Sequence, residues 1–156
     1  MASGLVRTIG DLPGPVHALL ERERRGVMTT LDPDGSGHSI PIGFVVVGDE
    51  IMSPIDHKPK SGRKLHRLSN IERDDRVTLL VDHWDEDWTR LAWVMVRASA
   101  TVDAGVPPQV ALALNERYPQ YAADELPDSW IRMRPTKLTW WTWAERATGG
   151  LRQPAP

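Results

Sequence analysis

Between residues 27 and 53 three apolar runs are separated by tight turns, and this limits how the strands can pair. Residues 27–31 run into Asp32-Pro33-Asp34-Gly35. Proline presets the first turn dihedral, aspartate tolerates the bridge region and glycine takes the left-handed position, so this tetrapeptide reads as a turn. From 38 to 47, Ile40, Ile42, Phe44 and Val46 recur with a period of two, the pattern of a strand with one buried face. Gly48-Asp49 then turns the chain into a short strand at 51–53. Parallel neighbours need a long crossover, so turns this short favour antiparallel pairing and disfavour a doubly wound parallel sheet.

Further strands are expected at 76–84 and 91–102, linked by the acidic turn Asp85-Glu86-Asp87, and at 130–133 and 138–143. A helix is expected over 16–25, with Val16, Leu19, Leu20 and Glu23 at helical spacing and Gly26 ending it. Pro107-Pro108 suits the first turn of a second helix, because the missing amide hydrogens are not needed there. Val110, Leu114 and Tyr118 give that helix its buried stripe, up to Pro119. Residues 1–15, rich in Gly and Pro, are expected to be a flexible N-terminal arm; 16–144 form one domain and 145–156 a flexible tail. The expected architecture is mainly β with α additions, a six-stranded antiparallel barrel.

With 156 residues the chain can bury one core without staples. It has no cysteine, which excludes disulfides, thiolate metal sites and cysteine nucleophiles, and fits a reducing compartment. Apolar runs such as 91–96 are too short to span a bilayer, and the first residues carry no signal-peptide core, so no membrane association and a cytoplasmic location are expected. A net charge of −2 gives no global reason to expect nucleic acid.

Against that balance, residues 57–71 stand out. Lys58, Lys60, Arg63, Lys64 and Arg67 fall together with no acid between Asp56 and Glu72; without these five the net charge of −2 would be −7. Leu65, Leu68 and Ile71 recur at helical spacing, so a helix is expected from near Ser61 or Gly62, with Ser61 as N-cap. Cations at a helix N-terminus oppose the dipole, by ~0.3–1 kcal/mol each, unless an anion sits between them. Free amides and Lys or Arg side chains then form a phosphate or carboxylate site. The competing reading is a solvated basic face. A nucleic-acid patch fits less well, because no stacking aromatics are interleaved.

Pro41 and Gly43 interrupt the second strand. Proline forfeits a ladder hydrogen bond and belongs on an edge or bulge, and glycine lets a flat group approach the backbone. The two read either as the border of a planar ligand or as an edge strand with none. Of seven tryptophans, Trp140 falls on one face of the last strand and Trp141 and Trp143 on the other. Both faces need cover, from the barrel interior and from either core packing or a dimer partner. The cluster Asp82, His83, Asp85, Glu86 and Asp87 lacks ligand spacing, so no metal site is expected. No G-x-S-x-G, H-E-x-x-H, G-x-G-x-x-G or G-x-x-x-x-G-K-[ST] is present.

The runs R-x-G-x-x-x-T-L-x-P-D-G (24–35), H-x-x-P-I (38–42) and D-H-K-P-K (56–60) occur in that order. They are followed by R-x-L-x-R-L-x-N-I (63–71), D-R-V-x-L-L-V-D-H-W-D-E-D-W (75–88) and a terminal tryptophan strand. Over residues 16–144 this order resembles the pyridoxamine 5'-phosphate oxidase-like split-barrel superfamily, and the later runs look like its F420-dependent branch. The resemblance implies a homodimeric split β-barrel with two cofactor sites at the subunit interface. It implies the cofactor's phosphate at Lys58, Lys60, Arg63, Lys64 and Arg67, and its ring against the second and third strands, at Pro41, Gly43 and Ser53. It further implies hydride exchange with a small-molecule substrate, with F420 as cofactor and FMN as the alternative. The organic cofactor would carry the chemistry, and no side chain is assigned as catalytic. Gly37 stands where many relatives have proline. The remaining alternatives are an FMN-dependent oxidase or reductase, a module that binds the cofactor without turnover, and a purely structural dimer.

Overall fold

The turn at 32–35 closes the first hairpin as expected. Gly35 sits at φ 84°, its amide bonds to the Asp32 carbonyl at 2.9 Å, and the Asp34 carboxylate accepts from the Ser36 amide and hydroxyl. The structure is a computed structural model that describes residues 1–55, 64–123, 127 and 129–143. The described strands are β1 (Ala2–Val6), β2 (Gly26–Leu31), β3 (Gly37–Ile42), β4 (Val45–Val47), β5 (Glu50–Pro54), β6 (Arg76–His83), β7 (Ala92–Ala104) and β8 (Ser129–Thr142). The helices are α1 (Gly14–Arg22), α2 (His66–Arg73) and α3 (Pro108–Arg117), with one further turn at Gln120–Ala123.

All pairings are antiparallel, in the order β3-β2-β6-β7-β8-β5-β4, with β1 also on β8. The two ends of that order, β3 and β4, are consecutive in the chain and are joined through Gly43 and Phe44. A covalent link, in place of a ladder, therefore closes the barrel there. The fold is the expected antiparallel split barrel; it has eight described strands, where seven runs read as the strands of a six-stranded barrel. One is added by the N-terminal residues. The run 38–47 breaks at Gly43-Phe44 into β3 and β4, while 130–133 and 138–143 are continuous in β8.

The first fifteen residues correct the expectation of a loose arm. Ala2–Val6 pairs with β8 from Ala2↔Thr142 to Val6↔Leu138, Ile9 is buried, and the Ile9 amide donates to the Asp49 carboxylate. Alternation of small and apolar residues was enough for an edge strand once β8 offered a free ladder.

Met28, Leu79, Val96 and Leu138 face inward from β2, β6, β7 and β8, and Phe44, Ile51, Ile131 and Met133 complete the core with α1 residues Val16, Leu19 and Leu20. Full burial of such a side chain contributes ~1.5–3 kcal/mol. A second cluster, Val45, Met52 and Trp130 against Val110 and Leu114, covers the other face of β4 and β5 with α3. Tyr118 and Arg117 join α3 to the rest. The Arg117 guanidinium donates to the carbonyls of Leu20 (3.0 Å), Glu21 (2.6 Å) and Glu23, at the end of α1, and stacks 4.7 Å above the Phe44 ring. No helix among the described residues is long and apolar enough to cross a membrane.

Candidate functional site

The basic segment reaches the structure through α2. Lys58, Lys60 and Arg63 lie outside the described residues. The helix begins at His66, after an extended Leu65, so Ser61 is not its N-cap. Lys64 precedes the helix and is ion-paired with Glu72, and half-buried Arg67 lies in the first turn. The later start removes Lys64 from the helix, where its charge would oppose the dipole. The periodicity itself was legible: Ile71 is buried and Leu65 and Leu68 pack on the core.

The helix docks on the end of the β2–β3 hairpin through a polar cluster. Buried Asn70 donates to the Thr30 hydroxyl at 3.0 Å and to Asp32 Oδ1 at 2.8 Å. His66 Nε2 lies 2.7 Å from the same oxygen, and the His38 and His66 rings meet edge to face at 4.7 Å. The Asn70 hydrogen bond, followed by that from His66, holds the Asp32 carboxyl below its ordinary value. Arg73 donates to Asn70 Oδ1 and to the Leu31 carbonyl.

Pro41, Gly43 and Ser53 do not meet Lys64 and Arg67. Pro41 pairs with Val27, three steps along the hairpin from the His38–Thr30 pair, roughly 10 Å at the strand rise. Gly43 and Ser53 are bonded to each other: the buried Ser53 hydroxyl donates to the Gly43 carbonyl at 2.8 Å. The close approach at Gly43 is made by Tyr118, whose ring would stand 3.3 Å from a Cβ there. The Tyr118 hydroxyl accepts from the Phe44 amide at 2.9 Å and lies 2.6 Å from the Arg24 carbonyl. Gly43 thus serves the barrel closure.

A second feature, missed in the sequence, lies on the outward face of the sheet. The registers align residues of successive strands in rows that face away from the core. One row is Ser39, Thr29, Thr78, Arg97 and Lys137; the next is Pro41, Val27, Leu80, Met95, Thr139 and Leu5; a third brings Trp93 beside Trp141. A groove of about 340 Å³ opens over the first row, lined by Thr29, Thr78, Thr136, Arg76 and Arg97 together with Leu31. Leu31 also receives the α2 bond from Arg73, so the groove and the docking end of α2 adjoin.

The charges of this groove are unequally matched. Arg76 forks onto Asp74 at 2.9 and 2.6 Å, and these hydrogen bonds lower the Asp74 carboxyl from 3.8 to about 2. Arg97 is exposed and has no acid partner among the described residues. Arg7, the residue after β1, donates to the Thr136 carbonyl at 3.2 Å. Between Arg97 and Ala98 the β7–β8 register passes over Thr136, so β8 bulges there, and a bulge re-aims the side chain it carries. Guanidinium groups and hydroxyls beside an apolar row fit the phosphate and ring of a flavin-type group. The sequence signal was an arginine inside the apolar run 93–98, but its neighbours come from strands whose register the sequence does not state.

The tryptophan alternation holds: Trp140 is buried in the core, while Trp141 is half-buried and Trp143 exposed on the other side. In the acidic turn, Asp87 caps a turn of 3₁₀ helix through Thr89 and His83 bonds Glu23 at 2.9 Å, so these residues act locally.

A family model described as pyridoxamine 5'-phosphate oxidase matches residues 12–143. No curated protein matches the sequence. Among solved structures, a conserved hypothetical protein from Mycobacterium tuberculosis shares the fold at a TM-score of 0.65 and 20% identity, over 89% of this chain and 88% of that one. An F420 reductase aligns at 0.60 and 21% identity, over 81% and 98% of the two chains. A FAD-binding protein from Mesorhizobium loti aligns at 0.59 and 12% identity, over 90% and 97%.

Proposed function

This chain belongs to the pyridoxamine 5'-phosphate oxidase family, and from that premise we propose that it is an oxidoreductase that binds F420 on the outward face of β2, β6 and β7. The observation that carries the reading is the hydroxyl-and-arginine groove beside the apolar row. Arg76 and Arg97, with Thr29 and Thr78, would hold the phosphate, and Val27, Leu80 and Met95 would back the ring. When bound, the deazaflavin supplies hydride transfer to or from a small-molecule acceptor. The chain's own residues bind and orient the group and keep water from one side of it; none is assigned a proton-transfer role. The segment carrying Lys58, Lys60, Arg63, Lys64 and Arg67 is read as the seat of the anionic lactyl-glutamyl tail. Two basic regions suit a cofactor with two anionic parts, and the fold is shared with an F420 reductase. The groove alone would serve a single phosphate, which favours FMN as the second reading. A second copy of the chain is proposed to cover Leu5, Trp93 and Trp141 and to complete the site.

The test is titration of the apoprotein with F420 and with FMN, following tryptophan fluorescence. Micromolar or tighter F420 binding is expected, weakened about tenfold or more by Arg97→Ala and by Lys58→Ala with Lys60→Ala. Tight FMN binding with none of F420 would move the protein to the flavin reading. Binding of neither would end the redox reading. Steady-state oxidation of reduced F420 with a panel of enones then separates an enzyme from a module that only binds.

A further inference from the structure

The three polar residues that meet where α2 docks on the first hairpin carry a separate assignment. We propose that Asp32, His38 and His66 form a binding site for a borderline divalent cation of the Zn²⁺ type. Their ligand atoms all lie within 4.8 Å of one another. Tetrahedral coordination at 2.0–2.1 Å requires donors about 3.3 Å apart, so side-chain rotations close the site without moving backbone. Asp32 Oδ1 and His66 Nε2, now 2.7 Å apart, would separate slightly to admit the ion between them.

The donor set selects the metal class. Two imidazoles and one carboxylate suit Zn²⁺, Co²⁺ or Ni²⁺, whereas Mg²⁺ and Ca²⁺ require mainly oxygen. No ligand interval marks this site in the sequence, because the three residues come from the turn after β2, from β3 and from α2.

Behind the donors stands the support that metal sites use to orient their ligands. Asn70 is fully buried, and its amide grips both Asp32 Oδ1 and the Thr30 hydroxyl while Arg73 holds its carbonyl oxygen. Among the described residues every hydrogen bond to the Asp32 carboxylate falls on Oδ1. The imidazole of His38 contacts the His66 ring but has no hydrogen-bond partner among the described residues. The His66 side chain is 56% exposed. With three protein ligands, the remaining coordination position opens to solvent, where water or a small anion can bind. The bound ion would fasten α2 to the hairpin, and this assignment stands independently of the cofactor reading.

The experiment uses the full chain stripped with a chelator and titrated with Zn²⁺ by calorimetry, with Co²⁺ as an optical probe. One ion per chain, a dissociation constant in the micromolar range or tighter, and a raised Tm are expected. His38→Gln and His66→Gln, which keep a polar side chain, should each weaken binding more than about tenfold. His17→Gln and His83→Gln should leave it unchanged, and circular dichroism checks that all four fold. Absence of saturable binding below about 100 µM overturns the site and leaves a surface Asp–His hydrogen bond. Binding that survives loss of both His38 and His66 overturns it equally.

Discussion

At the scale of single residues, Gly43 and Asp74 show how local chemistry serves the fold. Gly43 leaves room for the Tyr118 ring, which is fixed by its hydroxyl at the closure of the barrel. Gly43→Ala should therefore lower the stability of the cofactor-free protein by roughly 1–2 kcal/mol, read as a fall in Tm. An unchanged Tm would contradict the packing role and return Gly43 to a ligand-facing one. For Asp74, Arg76 holds the folded-state carboxyl at about 2, below its ordinary 3.8. A depressed folded value contributes stability that is complete above the unfolded value and is lost as pH falls through about 2. The fall in Tm between pH 4 and pH 2 should be shallower in Asp74→Asn than in the parent, and the difference should shrink in high salt, since the pair is exposed. Of the outward arginines, Arg97 is identifiable in the sequence as a charge within an apolar strand. Its grouping with Thr29 and Thr78 is not, because that depends on the β2–β6 and β6–β7 registers.

At the scale of elements, the helices were easier to find than to bound. The stripe of Val110 and Leu114 located α3, and both are buried as expected. Leu65, Leu68 and Ile71 located α2, but a serine at a plausible cap position drew its start forward, since capping chemistry and ordinary loop serines look alike in a sequence. What α3 does for α1 was not legible. Arg117 ends α3 and satisfies three carbonyls at the end of α1, partners more than ninety positions away. Arg117→Ala should destabilise the chain by roughly 2–4 kcal/mol, a fall in Tm of about 4–16 °C. Arg117→Lys should recover only part of the loss, because an ammonium group cannot reproduce the planar fork. Full recovery by lysine would reduce the contribution to charge alone.

For the whole molecule, the hairpin turns and period-two runs made the antiparallel barrel legible, and the family resemblance supplied its closure. The pairing of β1 was hidden, because an edge strand of small residues looks like a loop until its partner is known. The apolar row that ends in Leu5, with Trp93 and Trp141 beside it, is the face on which a second copy is proposed to sit. Leu5→Glu changes a residue that is 51% exposed and should leave the Tm of the monomer nearly unchanged. Sedimentation velocity should then show the parent as a dimer and the variant shifted toward monomer. A monomeric parent would remove the second copy from the site.

Strand β8 is the spine of the barrel: β7 runs along one side, while β5 and β1 share the other. Because a ribosome delivers residues in order, β1 emerges first and has no ladder to join until β8 follows. At roughly 5–20 residues per second, that interval is on the order of ten seconds. During it, β5, β7 and β1 each present an unpaired edge, so the nascent chain is most vulnerable to mispairing just before β8 appears.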